Sequence, residues 1–197
     1  MSSALDTLNR EISACTLCTE FLPLEPRPVT VLRPEARLLI IGQAPGTKVH
    51  ETGIPWNDPS GDRLRDWMQV DRETFYTSPR IAIMPMGFCY PGRAKTGGDN
   101  PPRPECAPTW HDRALALMPD VSLILLVGSY AQPFYLKARK YRTMTETVEN
   151  YQEFLPEFWP LPHPSWRTAG WQKRNPWFER DVLPPLRARV RTMLSNS

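Results

Sequence analysis

Arg37–Gly46 reads RLLIIGQAPG. Leu38 to Ile41 form a short apolar run that ends at a glycine, the pattern of a strand buried on both faces of a parallel sheet. Gly42, Pro45 and Gly46 then break the run and force a loop. Loops at the carboxyl ends of strands line the ligand crevice of an open α/β sheet. The rest of the chain is therefore placed around this loop.

Three more segments read as strands: 80–86 (RIAIMPM), 121–128 (VSLILLVG) and 156–162. Helices are expected between them. Leu5, Leu8 and Ile12 give 3–14 a helical face, and Leu64, Trp67 and Met68 do the same for a helix capped by Ser60 or Asp62. Further helices are expected over 104–118, with Ala107, Leu115 and Leu117, and over 129–139 and 144–155. The last, over 177–194, carries Phe178, Val182, Leu183, Leu186, Val190 and Leu194 on one side and a kink at Pro184–Pro185. Strand–helix alternation of this kind predicts a three-layer α/β/α fold with a central four-stranded parallel sheet. The expected organisation is a single domain over 1–197, in which 1–34 form an N-terminal helix and a cysteine-bearing connector. That topology brings GQAPG, the loop 87–106, Gly128–Ser129 and the segment LPHPSW (161–166) to one edge of the sheet.

Composition narrows the setting. The 23 prolines, more than twice ordinary usage, cluster at 22–34, 85–108 and 156–164 and stiffen the connections. A net charge of +3 permits a nucleic-acid partner without requiring one. No apolar run approaches the ~20 residues of a membrane span, and the first residues lack a charged-then-apolar signal, so a cytoplasmic location is expected.

Two residue sets point to chemistry. His163, fixed by Pro164 and Ser165 at a strand end, is placed to donate a hydrogen bond into the crevice. The four cysteines, Cys15, Cys18, Cys89 and Cys106, begin with a CxxC pair. Four thiolates suit a tetrahedral cage for [4Fe–4S] or zinc. Four separate buried thiols, or two disulfides in a secreted protein, are the alternatives.

GQAPG followed by ETGIPW (51–56), with HPS (163–165) near the C-terminus, resembles the two motifs of the uracil-DNA glycosylase superfamily. The nearest likeness is to its iron–sulfur branch, in which a GEAPG loop and four cysteines occur. The resemblance runs from Cys15 to the last helix. It implies hydrolytic removal of uracil or a related damaged base from DNA by a monofunctional, monomeric glycosylase that leaves an abasic site. It implies a [4Fe–4S] cluster on Cys15, Cys18, Cys89 and Cys106, although the related branch places its last cysteine about one helical turn further on, near Trp110.

Residue by residue, the resemblance sets Gly42, Gln43, Ala44, Pro45 and Gly46 against the extruded base and Trp56 as the ring on which it stacks. His163 becomes the donor to the developing charge on the base O2. Ser165, Trp166, Arg167, Lys173 and Arg174 become DNA contacts, supplemented by Trp171, Arg93, Lys95 and Arg103. Two departures stand out. Ala44 occupies a position where well-known members carry an acid or Asn, which leaves His50 with Glu51, and after them Asp58, to orient water. Met84-Pro85-Met86-Gly87 replaces a base-reading Asn, which opens the choice of base to hypoxanthine, xanthine or a modified uracil. A catalytically silent DNA-binding or lesion-sensing protein is the rival reading, and a nucleoside hydrolase a third.

Overall fold

The computed structural model describes residues 3–95 and 97–195. Strands β1 (Leu38–Ile41), β2 (Ile81–Ile83), β3 (Leu123–Val127) and β4 (Phe158–Leu161) form one parallel sheet in the order β2-β1-β3-β4. Leu38 aligns with both Ile81 and Leu123, and Leu126 with Pro160. Every strand residue is buried, as a parallel sheet covered on both faces requires. Pro160 has no N–H to donate and is tolerated because β4 pairs with β3 alone.

Around the sheet run α1 (Ala4–Ser13), α2 (Thr47–Thr52), α3 (Pro59–Met68), α4 (Arg72–Thr77), α5 (Cys106–Ala116), α6 (Ala131–Leu136), α7 (Met144–Glu149), α8 (Thr168–Arg174) and α9 (Leu183–Ser195). The two-residue period of the strands sorts them into layers. Leu39, Ile41, Ile124 and Leu126 pack with Leu5, Leu8 and Ile12 of α1 and Ala107, Trp110 and Ala114 of α5. Leu38, Ile40, Leu123 and Leu125 face the other way, onto Leu64 and Trp67 of α3, Phe75 of α4, and Leu186 and Val190 of α9. Each large apolar side chain so buried contributes about 1.5–3 kcal/mol relative to exposure. This is the expected three-layer α/β/α fold.

Local differences have local causes. β1 coincides with its apolar run, whereas β2, β3 and β4 are shorter than the segments 80–86, 121–128 and 156–162 read as strands. Asp58, not Ser60 or Asp62, caps α3: its Oδ1 accepts from Gly61 N–H at 2.8 Å, and Pro59 fills the first helical position, where a missing N–H costs nothing. The segment 129–139 is α6 plus a 3-10 turn at Lys137–Arg139, and 144–155 is α7 plus one at Tyr151–Phe154. The last helix opens with a wide π turn at Phe178–Val182, then restarts at Leu183, so Pro184 and Pro185 stand in a first turn rather than at an interior kink. α2, α4 and α8, of six, six and seven residues, carry too few turns for an apolar period to show.

The proline-rich connector lies along the exposed edge of β2. Val31 and Ile83 exchange backbone bonds of 2.8 and 2.7 Å, and Val29 N–H donates to Phe88 O at 2.8 Å. The Arg33 guanidinium donates to the carbonyls of Ser78, of Ile81 at 3.2 Å and of Tyr76 at 2.5 Å. The sheet edge is thereby covered, and Cys15 and Cys18 are carried to the loop that bears Cys89. Among the described residues no helix is long and apolar enough to cross a membrane.

Candidate active site

A cavity of about 680 Å³ opens at the carboxyl ends of the strands. It is lined by the whole loop Gly42, Gln43, Ala44, Pro45 and Gly46 after β1, by Pro85 after β2, Tyr130 after β3, and His163, Ser165, Trp166 and Arg167 after β4. Trp56 and Asp58, which lead into α3, close another wall.

The first loop is fixed from behind. Gly42 O accepts from Met86 N–H at 2.9 Å, Gln43 O from Gly87 N–H at 3.0 Å, and Gln43 Nε2 donates to Asn100 O at 3.3 Å. Gly42 has a steric reason to be glycine: a Cβ there would lie 2.6 Å from Trp56 Cζ2. The indole thus lies directly on the backbone at the end of β1.

Trp56 itself has φ 56°, a left-handed conformation that a bulky side chain rarely adopts. Its surroundings over-determine it. A Cβ on Gly61 would stand 1.7 Å from Trp56 O, so α3 packs directly under that carbonyl. Arg65 donates to the same oxygen at 3.2 Å, and Tyr76 Oη donates to Pro55 O at 2.9 Å. Strain held this firmly is characteristic of ligand sites.

The His163 ring stands 5.9 Å from the Trp56 ring, tilted by 35°. Burial pushes its pKa down, with Asp58 pulling weakly the other way, so the imidazole is neutral at pH 7. Its backbone is clamped: His163 O accepts from Ser165 N–H at 2.8 Å and from the Thr168 hydroxyl, while Arg63 donates to Ser165 O. Gly128, at φ 91°, leaves room beneath, where a Cβ would touch His163 Cβ at 3.4 Å.

Two carboxylates reach the cavity. Asp58 spends one oxygen on the α3 cap. Asp99 arrives from the long loop, whose backbone bridges Arg93 to Asp99, and its Oδ2 is 3.3 Å from where a Gly46 Cβ would be. Partial desolvation and the neighbouring Asp58 raise the Asp99 pKa, and Arg93 opposes them.

His50 and Glu51 do not line the cavity. They end the short helix α2, Glu51 is exposed, and Arg27 holds their carbonyls at 2.5 and 2.8 Å. The His50 ring lies 5.9 Å from that of Tyr90, with its Nδ1 buried and without a hydrogen-bond partner among the described residues. Lys173 and Arg174 occupy the last turn of α8, beyond the mouth. Asp99 and Tyr130 are polar lining residues that the sequence did not single out. The uncommon length of the loop 87–106 was the one signal for the former, and the position just past Gly128–Ser129 for the latter.

At Pro85 the wall is apolar. Its carbonyl accepts from His111 Nε2–H at 3.1 Å, which leaves Nδ1 to accept from Tyr135 Oη at 2.6 Å. Burial lowers the His111 pKa to about 4.

The four cysteines are free thiols and line one small second cavity. All six pairs lie close enough to interact electrostatically. Burial drives Cys89 up to about 11 and Cys106 to about 12. Phe88 N–H donates to Cys106 Sγ at 3.3 Å, and Arg103 reaches Cys18. Among the described residues no three His, Cys, Asp or Glu side chains converge tightly enough to hold a single metal ion. An all-sulfur donor set with N–H donors beside it has the ligand chemistry of a multi-metal iron–sulfur cluster.

The family model of the uracil DNA glycosylase superfamily matches residues 29–187, a span that holds all four strands and every cavity-lining residue and begins after Cys15 and Cys18. Fold, strand-end cavity and matched span agree, and the chain belongs to the uracil DNA glycosylase superfamily.

Proposed function

We propose that this protein is a monofunctional DNA glycosylase that hydrolyses the N-glycosidic bond of uracil or a related deaminated base. Members of its superfamily act in general as hydrolytic glycosylases on damaged bases. The observation that carries the reading is the meeting of the Gly42–Gly46 loop, the Trp56 ring on its left-handed backbone and the neutral His163 ring around one cavity.

Breaking the bond leaves an oxocarbenium-like sugar and a base anion, and both charges need stabilisation where they develop. The nucleotide is extruded into the cavity, because its target atom is out of reach in a stack. Trp56 supplies a flat apolar face for the base. His163, neutral and largely desolvated, donates to O2 through a hydrogen bond that strengthens in the transition state. Asp58, rather than His50 with Glu51, takes the water-orienting role: it lines the cavity within electrostatic reach of His163, and its second oxygen is available to orient water and face the cationic sugar. Because His111 occupies the Pro85 carbonyl, recognition of the base edge falls to Gln43 and the loop backbone.

Ser165, Trp166 and Arg167 at the mouth and Lys173 and Arg174 beyond it are the DNA contacts. Cys15, Cys18, Cys89 and Cys106 would hold a [4Fe–4S] cluster, with structural zinc as the alternative. Its part is to tie the N-terminal connector to the long loop, and no catalytic step runs through it.

The test is base release from single- and double-stranded oligonucleotides carrying uracil, hypoxanthine, xanthine or a 5-substituted uracil. Release of at least one free base with an intact abasic strand is expected. Binding without release of any of them would identify the silent lesion sensor, and cleavage of free nucleosides the nucleoside hydrolase.

A further inference from the structure

Trp166 is 77% exposed, the most exposed large apolar side chain described, yet the loop that carries it is tied down by several hydrogen bonds. Ser165 N–H, the Thr168 hydroxyl and Arg63 all fix the backbone beneath it, and Ala169 N–H donates to Trp166 O at 3.3 Å. The indole touches little besides the Arg167 guanidinium, 5.4 Å from its centre. A rigid loop that presents an unpacked indole offers a large apolar face with little ordering left to do on binding.

A second ring stands at the same mouth. Tyr130 lines the cavity from the end of β3, is 37% exposed, and its hydroxyl makes no hydrogen bond among the described residues. Phe134, four residues on and 37% exposed, continues that face along α6. Cations gather around the rings, while the carboxylates of the cavity are Asp58 and Asp99. Arg93 and Arg167 line the mouth, Lys173 and Arg174 follow on α8, and none of the four forms an ion pair among the described residues.

We infer that Trp166 and Tyr130 are stacking platforms for the nucleotides that flank the extruded one, and that the preferred substrate is single-stranded DNA. This rests on the cavity being the pocket for one extruded base. A duplex that loses one nucleotide opens one gap, which a single wedge fills, while its neighbours remain stacked and paired. Two separate rings at the rim are usable only when both neighbours are free to unstack. Exposed aromatic rings beside unpaired cations form the general surface for single-stranded nucleic acid, with each base–ring contact worth ~1–3 kcal/mol.

The experiment is fluorescence anisotropy with a labelled, uracil-free oligothymidylate and with a mixed-sequence duplex of equal length, at one fixed low salt concentration. Wild type is compared with Trp166→Ala, Trp166→Phe, Tyr130→Ala and Tyr130→Phe, with thermal melts to verify folding. The expected result is single-strand affinity at least tenfold above duplex affinity. Each alanine variant should lose about tenfold on the single strand, each phenylalanine variant should retain most of it, and duplex affinity should hardly move. Equal or tighter duplex binding overturns the inference. So does wild-type single-strand affinity in both alanine variants, or a Trp166→Ala loss confined to the duplex, which would make Trp166 a wedge. Base release from matching single and double strands that each carry one uracil, hypoxanthine, xanthine or 5-substituted uracil separates the two readings. Release without single-strand preference removes only the platforms, whereas single-strand binding without release of any base removes only the glycosylase.

Discussion

Two glycines, an aspartate and a histidine show how single residues shape this site and its surroundings. At Gly42 an added methyl meets the rim of the Trp56 ring, a half-buried side chain able to swing. At Gly61 it meets the Trp56 carbonyl, which cannot move without α3. Gly42→Ala should therefore cut base release at least tenfold with little change in melting temperature. Gly61→Ala should cost on the order of 3 kcal/mol, or roughly 10 °C, and calorimetry of both variants distinguishes the effects. Asp58→Asn separates charge from cap: Asn caps as well as Asp, so stability should hold while single-turnover base release falls about a hundredfold or more.

His111 gives a pH dependence. It has to stay neutral in the folded state with a pKa of about 4, against 6.5 when unfolded, so the unfolded chain binds the extra proton between those values. Stability should fall by about 3 kcal/mol as pH drops from 6.5 to 4 and level off below. Urea midpoints across that range, compared with those of His111→Phe, check this.

At the scale of elements, what the sequence displayed depended on length and on locality. LLII, IAI and LILLV announced their strands because burial on both faces leaves no polar interruption. GQAPG and HPS were legible as site loops because strand order alone puts them on one edge. His50 and Glu51 looked like site residues because they follow GQAPG closely in the chain. The single turn and a half of α2 instead turns them away from the cavity, and no apolar period marks so short a helix. Asp99 could not be found because it returns to Gly46 through a hairpin of the long loop, a contact across 53 positions in the chain.

The same long-range closure brings Cys15 and Cys18 to Cys89 and Cys106. Cys106→Ser should abolish the brown colour and broad visible absorbance of a bound iron–sulfur cluster, and it should loosen the N-terminal 30 or so residues to proteolysis. Colourless wild-type protein with one equivalent of zinc would change the metal, and protein with neither would remove the cage.

At the scale of the whole molecule, two loops more than a hundred residues apart close on one cavity because the parallel sheet delivers their strands to the same edge. Burial of that edge keeps His163 neutral, and the exposed rim gathers the cations and aromatic rings a nucleic acid would meet. The division of labour between a desolvated interior and a charged, aromatic rim separates chemistry from binding. Removing His163 should therefore stop the reaction without releasing the strand. The most direct measurement is single-turnover base release by wild type and His163→Ala on the oligonucleotide that wild type cleaves best, with binding followed in parallel. The expected result is a loss of at least a hundredfold in release with affinity kept within a few-fold; release by His163→Ala at the wild-type rate would contradict it.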